Sequence, residues 1–424
     1  MTDFVDRVEV LKAGGCNVYT LTTPVSDIVT FRGSFRSGPD LAVNQDLVQS
    51  LCVSTLDKGT RRRTKIEVAE VLENLGAQLH FYSDDLRVGF SGRVLRDDLP
   101  VVVDLLAEQL RSPAFAEAEF ELVRRRAVAS AQRSMERTAD QADVALRRSL
   151  FDTAHPNYGL TPEESIALYE AVDDDAVRRY HQTHFGARDL NLVVVGDLDP
   201  NVVQKSVGAA FSDWPDHGEH GRYTANTELS SSLTSFVDIP DKPNSDVVMG
   251  HTLSIRRDHP DFVPLYVGNY ILGGNFSARL MMKIRDELGL TYGIRSSLTD
   301  VSVDYDGFWE VSVTLSADNV AAGTEETLAE VERFVRDGVT DQELQDKKET
   351  IAGSFAVGLA TTAGLARSIL ANIERGFGPG YLDRFPKEVR ATTLDEVNAA
   401  ISKYLRPAYL HVATAGSASV AASD

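Results

Sequence analysis

His181 and His184, in the pattern His-x-x-His, are residues of a type and spacing that could bind a metal ion. Two imidazoles three residues apart lie on one face of a helix and can reach a single ion. No Asp or Glu stands between them or directly after them to complete a ligand set, so we interpret the pair as an ordinary helix end. A second pair, His217-Gly-Glu-His220, stands in a polar stretch and is interpreted as a solvated loop.

Neither Cys52 nor the Gly273-Gly274 pair has the companions that its chemistry would need. A nucleophilic thiol needs a base, and no histidine stands near Cys52 in the sequence, so we expect a core residue. The only other cysteine is Cys16, which excludes both a disulfide framework and a four-cysteine zinc site. No Lys-Ser/Thr follows the two glycines, so they predict a turn rather than a phosphate loop.

The balance of charge limits the classes of ligand. The 424 residues include 43 Lys and Arg against 63 Asp and Glu, a formal net charge of −20. Such a surface repels nucleic-acid phosphates and anionic lipid and attracts basic peptides, although solvated acidic surface explains the same composition. The start of the sequence shows no secretory signal, and no apolar run approaches the roughly 20 residues that span a bilayer. We expect a cytoplasmic protein with no nucleic-acid or membrane partner.

The elements that would position a site are repeated along the chain. An amphipathic helix, a short loop and an apolar strand ended by glycine occur late in the first half and again near the C-terminus. Val177 and Gly196 are 19 residues apart, as are Val397 and Gly416, which gives an offset of 220. This spacing indicates a duplicated domain rather than a short-period repeat.

Matching helices and strands support the duplication. Helices are predicted at 99–110, with Asp98 as the N-cap, and at 320–335, and each precedes a second long helix. Alternating strands are predicted at 29–35 and 308–315. Short turns between strands, interrupted by helix pairs, favour an antiparallel sheet with helices on one face.

The predicted fold class is therefore α+β, with two homologous domains of this kind. The N-terminal domain is predicted at 1–215 and the C-terminal domain at 236–424. The stretch 216–235, polar and rich in small residues, is predicted to link them.

Seven short motifs run in one order along nearly the whole chain. They are Asp57-Lys-Gly-Thr60, Leu75-Gly-Ala-Gln-Leu79, Arg111-Ser-Pro-Ala-Phe115, His155-Pro-Asn-Tyr-Gly159, Val195-Gly-Asp197, Ile271-Leu-Gly-Gly274 and Arg285-Asp-Glu-Leu-Gly-Leu-Thr-Tyr292. In this order they resemble the peptidase family of insulinase, pitrilysin and the mitochondrial processing peptidase. The resemblance implies a duplicated α+β domain and a metallopeptidase-like, insulinase-like protein.

The zinc motif of that family is degenerate in this sequence. Active members carry His-x-x-Glu-His on the first long helix, shortly before Lys-Gly-Thr. At the matching positions Ser50 and Ser54 replace the histidines, and Val53 replaces the catalytic glutamate. The downstream glutamate ligand is expected close to Gln132, a neutral amide. Serine hydroxyls are poor zinc ligands and valine takes no proton, so the resemblance predicts no metal and no cofactor in this chain.

Arg285 and Tyr292 keep the spacing of a second family motif. Members use an arginine and a tyrosine, seven residues apart, to hold the substrate against the zinc of the other domain. Arginine offers a fork of donors to peptide carbonyls, and a phenol donates to a developing oxyanion. The alternative interpretation is a surface cation at Arg285 and a core aromatic at Tyr292.

The resemblance implies a subunit of a heterodimeric zinc peptidase, because some relatives divide the zinc motif and the arginine–tyrosine pair between two chains. This chain would be inactive alone and would support proteolysis with a paralogous zinc-bearing subunit, binding unfolded or short peptides. A non-catalytic structural or peptide-binding protein is the first alternative. A self-sufficient hydrolase with a different site is the second.

Overall fold

The structure is a computed structural model that describes residues 3–37, 45–84, 86–215 and 227–418. By their contacts, the described residues fall into two units. Unit 1 gathers Met1–Ala129, Ser165–Arg222 and Phe355–Phe385, and unit 2 gathers Ser130–Glu164, Tyr223–Ser354 and Pro386–Asp424.

One β-sheet lies in each unit. In the described part of unit 1 the strands are β1 (Glu9–Ala13), β2 (Cys16–Thr22), β3 (Ile28–Arg36), β4 (Gln78–Asp84), β5 (Arg87–Leu95) and β6 (Asn191–Gly196), in the order β1-β2-β6-β3-β5-β4. In the described part of unit 2 they are β7 (Thr234–Asp238), β8 (Asn244–Thr252), β9 (Thr291–Thr299), β10 (Phe308–Ser316) and β11 (His411–Gly416), in the order β7-β11-β8-β10-β9.

Helices make up most of the remaining described chain. They are α1 (Gln45–Thr55), α2 (Lys65–Asn74), α3 (Leu99–Arg111), α4 (Glu117–Ser134), α5 (Thr138–Leu150), α6 (Pro162–Ala171), α7 (Asp174–His184), α8 (Pro200–Phe211), α9 (Phe262–Gly273), α10 (Val320–Asp337), α11 (Asp341–Gly358), α12 (Thr362–Glu374), α13 (Tyr381–Ala391) and α14 (Leu394–Tyr404). A π-helical turn, Met281–Glu287, follows α9.

Strand β3 forms because its alternate side chains can be buried on one face of the sheet. Val29, Phe31 and Phe35 lie in the main core of unit 1, as the alternation in the sequence predicts. Gly33 lies between them, where a Cβ would stand 2.3 Å from the Phe90 ring. The packing of β3 against β5 therefore leaves no room for a side chain at that position.

The predicted repeat of helix and strand is present in both units. In unit 1, α7 precedes β6, which pairs parallel with β2 and antiparallel with β3. In unit 2, α14 precedes β11, which pairs parallel with β7 and antiparallel with β8. The α+β class is confirmed, and the predicted antiparallel sheet is refined by one parallel pair in each described sheet. Each parallel pair arises because the chain returns to the sheet interior by way of helices rather than through a hairpin.

Helix α12 revises the prediction that helices cover one face only. It packs on β3 and β6, on the face opposite the main core of unit 1. Leu365, Ala366 and Ile369 bury Val193 and Val195 there. The sequence suggested a single helical layer because nothing local to β3 and β6 indicates a helix that joins them from so late in the chain.

Two helices are exchanged relative to the sequence halves. Helix α12 comes from the second half yet lies in unit 1, and α5 comes from the first half yet lies in unit 2, against β8 and β11. The boundaries 1–215 and 236–424 stay a prediction about the repeat. Of the predicted linker 216–235, residues 216–226 lie outside the described residues, and the last two residues begin β7.

The predicted N-cap of α3 is wrong in its detail. Asp98 ends a 3₁₀ turn, Arg96–Asp98, with φ −92° and ψ −7°, and its side chain accepts no capping hydrogen bond. The 3₁₀ turn continues directly into α3, so Asp98 never adopts the extended conformation that a capping side chain needs. By contrast, α2 ends in a common way, because Gly76 follows its C-cap residue, Leu75, and has φ +58°.

No single helix among the described residues is long and apolar enough to cross a membrane. One bent pair, Asp341–Gly358 with Thr362–Glu374, meets the test by length and composition, with an angle of 111° between the two helices.

Candidate functional site

Helix α1 carries the positions that the resemblance assigns to the zinc motif. Val53 and Cys52 are buried in the core of unit 1, while Ser54 is exposed. Ser50 is half-buried and hydrogen-bonds the Tyr169 side chain. Burial raises the pKa of the Cys52 thiol well above its ordinary value, so the thiol stays protonated and is a core residue, as expected.

Gln132 lies exposed near the C-terminal end of α4. Two serine hydroxyls, a valine and an amide supply no imidazole, thiolate or carboxylate, so the residues at positions 50, 53, 54 and 132 do not fit a zinc ion. Throughout the four described ranges, no group of three or more His, Cys, Asp and Glu side chains is placed to hold a metal ion.

Arg285 lies on the π-helical turn that follows α9. The wider turn ends at Gly289, whose φ is +66°, and the Leu290 N–H donates to the Ile284 carbonyl over 3.0 Å. The Arg285 side chain is 40% exposed, and its nearest carboxylate oxygen, on Asp286, is 4.0 Å away. A single π-turn is a frequent feature of functional sites, and here it leaves the guanidinium accessible.

Tyr292 is the second residue of β9 and is 97% exposed. The residue before it, Thr291, is buried and donates its hydroxyl to the Thr314 carbonyl over 2.5 Å, which fixes the start of the strand. The side chain of Tyr292 is therefore held out from the sheet by an anchored backbone. The alternative that Tyr292 is a core aromatic is wrong.

A cavity of about 890 Å³ lies in unit 2 beside Tyr292. Its walls come from α5, the end of α9, β9 and β10. Gly273 and Gly274 line it, so they contribute to a cavity rather than only to a turn. Phe276, 78% exposed, also lines it, and the Arg285 Cζ lies 5.9 Å from the Phe276 ring centroid. Tyr292 therefore lines this cavity directly, whereas Arg285 lies next to it through its contact with Phe276.

Negative charge predominates on the cavity wall. Its carboxylates belong to Asp140, Asp143, Asp246 and Glu310, and Arg295 is the arginine among its lining residues. Asp140 and Asp143 are also paired with Arg137 and Arg147, at 3.5 and 2.9 Å. Glu310 is 95% buried, since 5% of it is exposed, and Arg295 lies 3.6 Å from its carboxylate. Burial raises the pKa of Glu310 above its ordinary value. Carboxylates in a concave site attract cationic groups more strongly than they would on open surface.

The rival motifs take structural roles. His184 is buried against the Tyr180 ring, with 4.5 Å between centroids, and His181 Nε2 lies 2.7 Å from the Leu110 carbonyl. The interpretation of this pair as an ordinary helix end is confirmed by its place in the last turn of α7. The pair His217 and His220 lies outside the described residues.

Gly273→Ala should lower the free energy of unfolding by about 1–3 kcal/mol, because overpacking forces the end of α9 away from β9. An added Cβ would stand 2.4 Å from the Ser296 main-chain nitrogen. Gly353→Ala, in the exposed part of α11 with nothing within 4 Å, is the matched control and should raise stability by about 0.5–1 kcal/mol. Urea unfolding measures both, and equal shifts would contradict the close approach of α9 to β9.

Two groups of residues that line the cavity were not predicted from the sequence. Asp140 and Asp143 lie on α5, which the sequence assigns to the other half, so no local pattern connects them with Tyr292. Phe276 carried a usable signal, because a large aromatic two residues after Gly273-Gly274 is unusual in a turn unless it contacts a ligand or partner.

Comparison with known proteins identifies the family of this chain. The family model "Insulinase (Peptidase family M16)" matches residues 51–159, and the model "Peptidase M16 inactive domain" matches residues 171–351. Both describe parts of one family, and together they cover both halves of the chain. The chain therefore belongs to the insulinase family, peptidase family M16.

Relatives with curated names differ in the activity that those names state. The chain is 24% identical over 375 residues to the non-peptidase homolog YmxG of Helicobacter pylori, covering 88% of this chain and 85% of that one. It is also 24% identical over 375 residues to an uncharacterized zinc protease of Streptomyces coelicolor, covering 84% and 78%.

Solved structures share the fold over almost the entire chain. A peptidase M16 inactive domain from Pseudomonas fluorescens superposes with a TM-score of 0.85 at 22% identity, covering 97% of this chain and 98% of that one. A protease from Helicobacter pylori gives a TM-score of 0.85 at 13% identity, covering 96% and 99%. At these identities the likeness concerns the fold alone.

Proposed function

We propose that this chain is the non-zinc-binding subunit of a heterodimeric metallopeptidase and supplies the peptide-binding surface around Tyr292. The observation that carries the proposal is a contrast between the two units. Val53, at the position of the catalytic glutamate, is core, whereas Tyr292 presents a 97% exposed phenol beside a cavity of about 890 Å³. Phe276, 78% exposed, lines the same cavity, and exposed apolar side chains that occur together commonly mark a site of interaction.

The exposed groups suit a peptide. The Tyr292 hydroxyl can donate to the scissile carbonyl oxygen as it gains negative charge, and the Arg285 guanidinium can donate to neighbouring carbonyls. Strand β9 is the last in the sheet of unit 2, so within the described residues one edge of its backbone pairs with no other strand. An extended peptide can add to such an edge. Zinc and its general base would come from the partner, a paralogue that carries His-x-x-Glu-His.

The acidic cavity suggests which peptides bind. Asp246 accepts hydrogen bonds from the hydroxyls of Thr138 and Thr314, at 2.6 and 2.5 Å, and among the described residues no Lys, Arg or His side chain forms an ion pair with it. A Lys or Arg side chain of a substrate can offset the charge of this carboxylate. We therefore expect basic unfolded or short peptides to be preferred over acidic ones.

The purified chain alone should not hydrolyse a quenched-fluorescence peptide library, with or without EDTA. Adding a zinc-bearing paralogue of similar length should produce EDTA-sensitive turnover, faster on lysine-rich than on glutamate-rich members. The paralogue alone is the control for activity that needs no second chain. EDTA-sensitive turnover by this chain alone would contradict the proposal and revive a self-sufficient hydrolase.

Peptide binding without hydrolysis is the second candidate function. It is favoured by the curated relative named as a non-peptidase homolog. It predicts that basic peptides bind this chain with a measurable Kd. It also predicts that no mixture with a paralogue hydrolyses peptides in a way that depends on Arg285 or Tyr292. The cytoplasmic location stays a prediction, which fractionation of cells that express the tagged chain would test.

A further inference from the structure

A second concave site, in unit 1, carries the opposite charge. The pocket has a volume of about 450 Å³ and lies where the segment after α3 meets α7 and the end of the α8 region. Arg61, Arg111 and Arg178 line it, and no carboxylate is among its lining residues. We call it the arginine pocket. A concentration of guanidinium groups is unexpected in a chain whose net charge is −20.

Two of the three guanidinium groups keep their charge uncompensated among the described residues. The Arg61 side chain is exposed and forms no hydrogen bond or ion pair with them, and only its main-chain N–H is engaged, by the Ser112 carbonyl. Arg111 donates Nη1 to the Ala210 carbonyl over 2.6 Å. A carbonyl is neutral, so this bond orients the guanidinium without cancelling its charge.

The third arginine holds the pocket wall in shape. Arg178 donates to the carbonyls of Ala114 and Phe115, and its Nε lies 3.4 Å from an Asp174 carboxylate oxygen. Phe115 has φ +44°, a left-handed conformation that is costly for an aromatic residue. Strained backbone that the surrounding contacts hold in place is concentrated at functional sites, because it pre-organises them.

Aromatic side chains form part of the remaining wall of the arginine pocket. Phe185 and Trp214 line the pocket and are 1% and 8% exposed, and the His181 ring lies 4.6 Å from the Phe185 ring, centroid to centroid, at a tilt of 39°. The volume falls within the range of small-molecule sites, roughly 300–1,000 Å³. Arginine forks with an apolar wall match an oxyanion attached to a flat or apolar skeleton.

We propose that the arginine pocket binds a small organic anion whose carboxylate or phosphate contacts Arg61 and Arg111 and whose apolar part packs toward Trp214. All the residues that line the arginine pocket belong to unit 1, whereas those that line the cavity beside Tyr292 belong to unit 2. The inference does not depend on peptide hydrolysis, and its test reads binding alone.

Calorimetric titration of the full chain, at constant ionic strength, tests the site with four probes: benzoate, phenyl phosphate, inorganic phosphate and neutral benzamide. At least one aromatic anion should bind with one-to-one stoichiometry and a Kd near or below about 1 mM. It should bind at least tenfold more tightly than benzamide and than inorganic phosphate. Benzoate against phenyl phosphate distinguishes a carboxylate site from a phosphate site. Failure of both to saturate, or equal binding of benzamide, overturns the proposal.

Matched charge variants locate the binding. Arg61→Gln and Arg111→Gln should each weaken the aromatic anion about tenfold, as expected for loss of one charge-assisted hydrogen bond. Arg125→Gln removes the same charge from an exposed position of α4 outside the pocket and should leave the Kd unchanged. Because the Arg61 side chain bonds to none of the described residues, Arg61→Gln should keep the thermal unfolding midpoint, so weakened binding cannot be attributed to misfolding. Wild-type affinity in both pocket variants overturns the assignment.

Discussion

Replacing Tyr292 by Phe should lower the kcat/KM of the reconstituted heterodimer by about 10²–10³-fold, the usual cost of removing one oxyanion donor. The substitution removes only a hydroxyl from a side chain that is 97% exposed, so we expect the fold to stay the same. Its effect should fall on kcat more than on KM, because the phenol's hydrogen bond strengthens as the carbonyl oxygen gains charge. Steady-state kinetics on one fluorogenic peptide, at fixed partner concentration, measures the change.

A second tyrosine of unit 2 gives the control. Tyr409 is 41% exposed and lies outside the cavity, so Tyr409→Phe should leave kcat/KM within about twofold of the wild type. Arg285→Ala should lower kcat/KM as well, through both binding and orientation of the peptide. Unchanged kinetics for Tyr292→Phe and Arg285→Ala in an active complex would exclude the proposed role and favour the non-catalytic alternative.

The stability of unit 2 should fall by up to about 3 kcal/mol as the pH is lowered from 6.5 to 4, owing to His251. Burial above all, together with the nearby charges of Arg406 and His411, lowers the pKa of His251 to about 4, against the opposing effect of the hydrogen bond to the Thr252 carbonyl. Both ring nitrogens are engaged in the neutral form. Nδ1 lies 2.8 Å from the Thr252 carbonyl, and Nε2 accepts the Arg406 N–H at 2.9 Å. A proton on Nε2 would break the second bond.

The direction follows from which state binds protons. Between pH 6.5 and 4 the unfolded chain protonates His251 while the folded chain keeps it neutral, so acid favours unfolding. Burial also lowers the pKa of His155 to about 4, so His155 likewise makes the folded state less stable as the pH falls. The stability from both histidines is complete above pH 6.5 and declines toward pH 4.

A single-tryptophan variant can report on unit 2 in this test. The chain has two tryptophans, and Trp309 lies 5.2 Å from the His251 ring, so Trp214→Phe leaves Trp309 as the fluorescent probe. In that background, His251→Gln should flatten the dependence of the urea midpoint on pH between 6.5 and 4, whatever it does to stability at neutral pH. An identical slope with and without His251 would contradict a neutral buried imidazole.

Much of this architecture could be predicted because the patterns are local. Alternation in 29–35 and 308–315 gave β3 and β10, and the spacing of Val177 and Val397 to their glycines gave the repeated helix and strand. The spacing of Arg285 and Tyr292 pointed to the edge of the cavity in unit 2 for the same reason, since one π-turn and one strand position both residues. Short-range periodicity suffices wherever one element decides the outcome.

The remainder depends on contacts between distant segments. No pattern near β10 reveals that α5 supplies Asp140 and Asp143 to the same cavity. Likewise the main-chain N–H that the neutral His251 ring accepts belongs to Arg406, 155 residues away, so no pattern within β8 indicates it. The arginine pocket combines Arg61, Arg111 and Arg178 from three separate places, so their isolated positions in the sequence gave no signal.

The exchange of α12 into unit 1 has a consequence for synthesis. The sheet of unit 1 is complete once β6 has been made, but the helix that covers Val193 and Val195 is finished only at Glu374, roughly 180 residues after β6 ends at Gly196. At about 5–20 residues per second, a ribosome needs roughly 10–40 s to make that stretch. During this time the nascent chain carries an open apolar strip, which predicts a requirement for chaperones during translation and aggregation of any product truncated before α12.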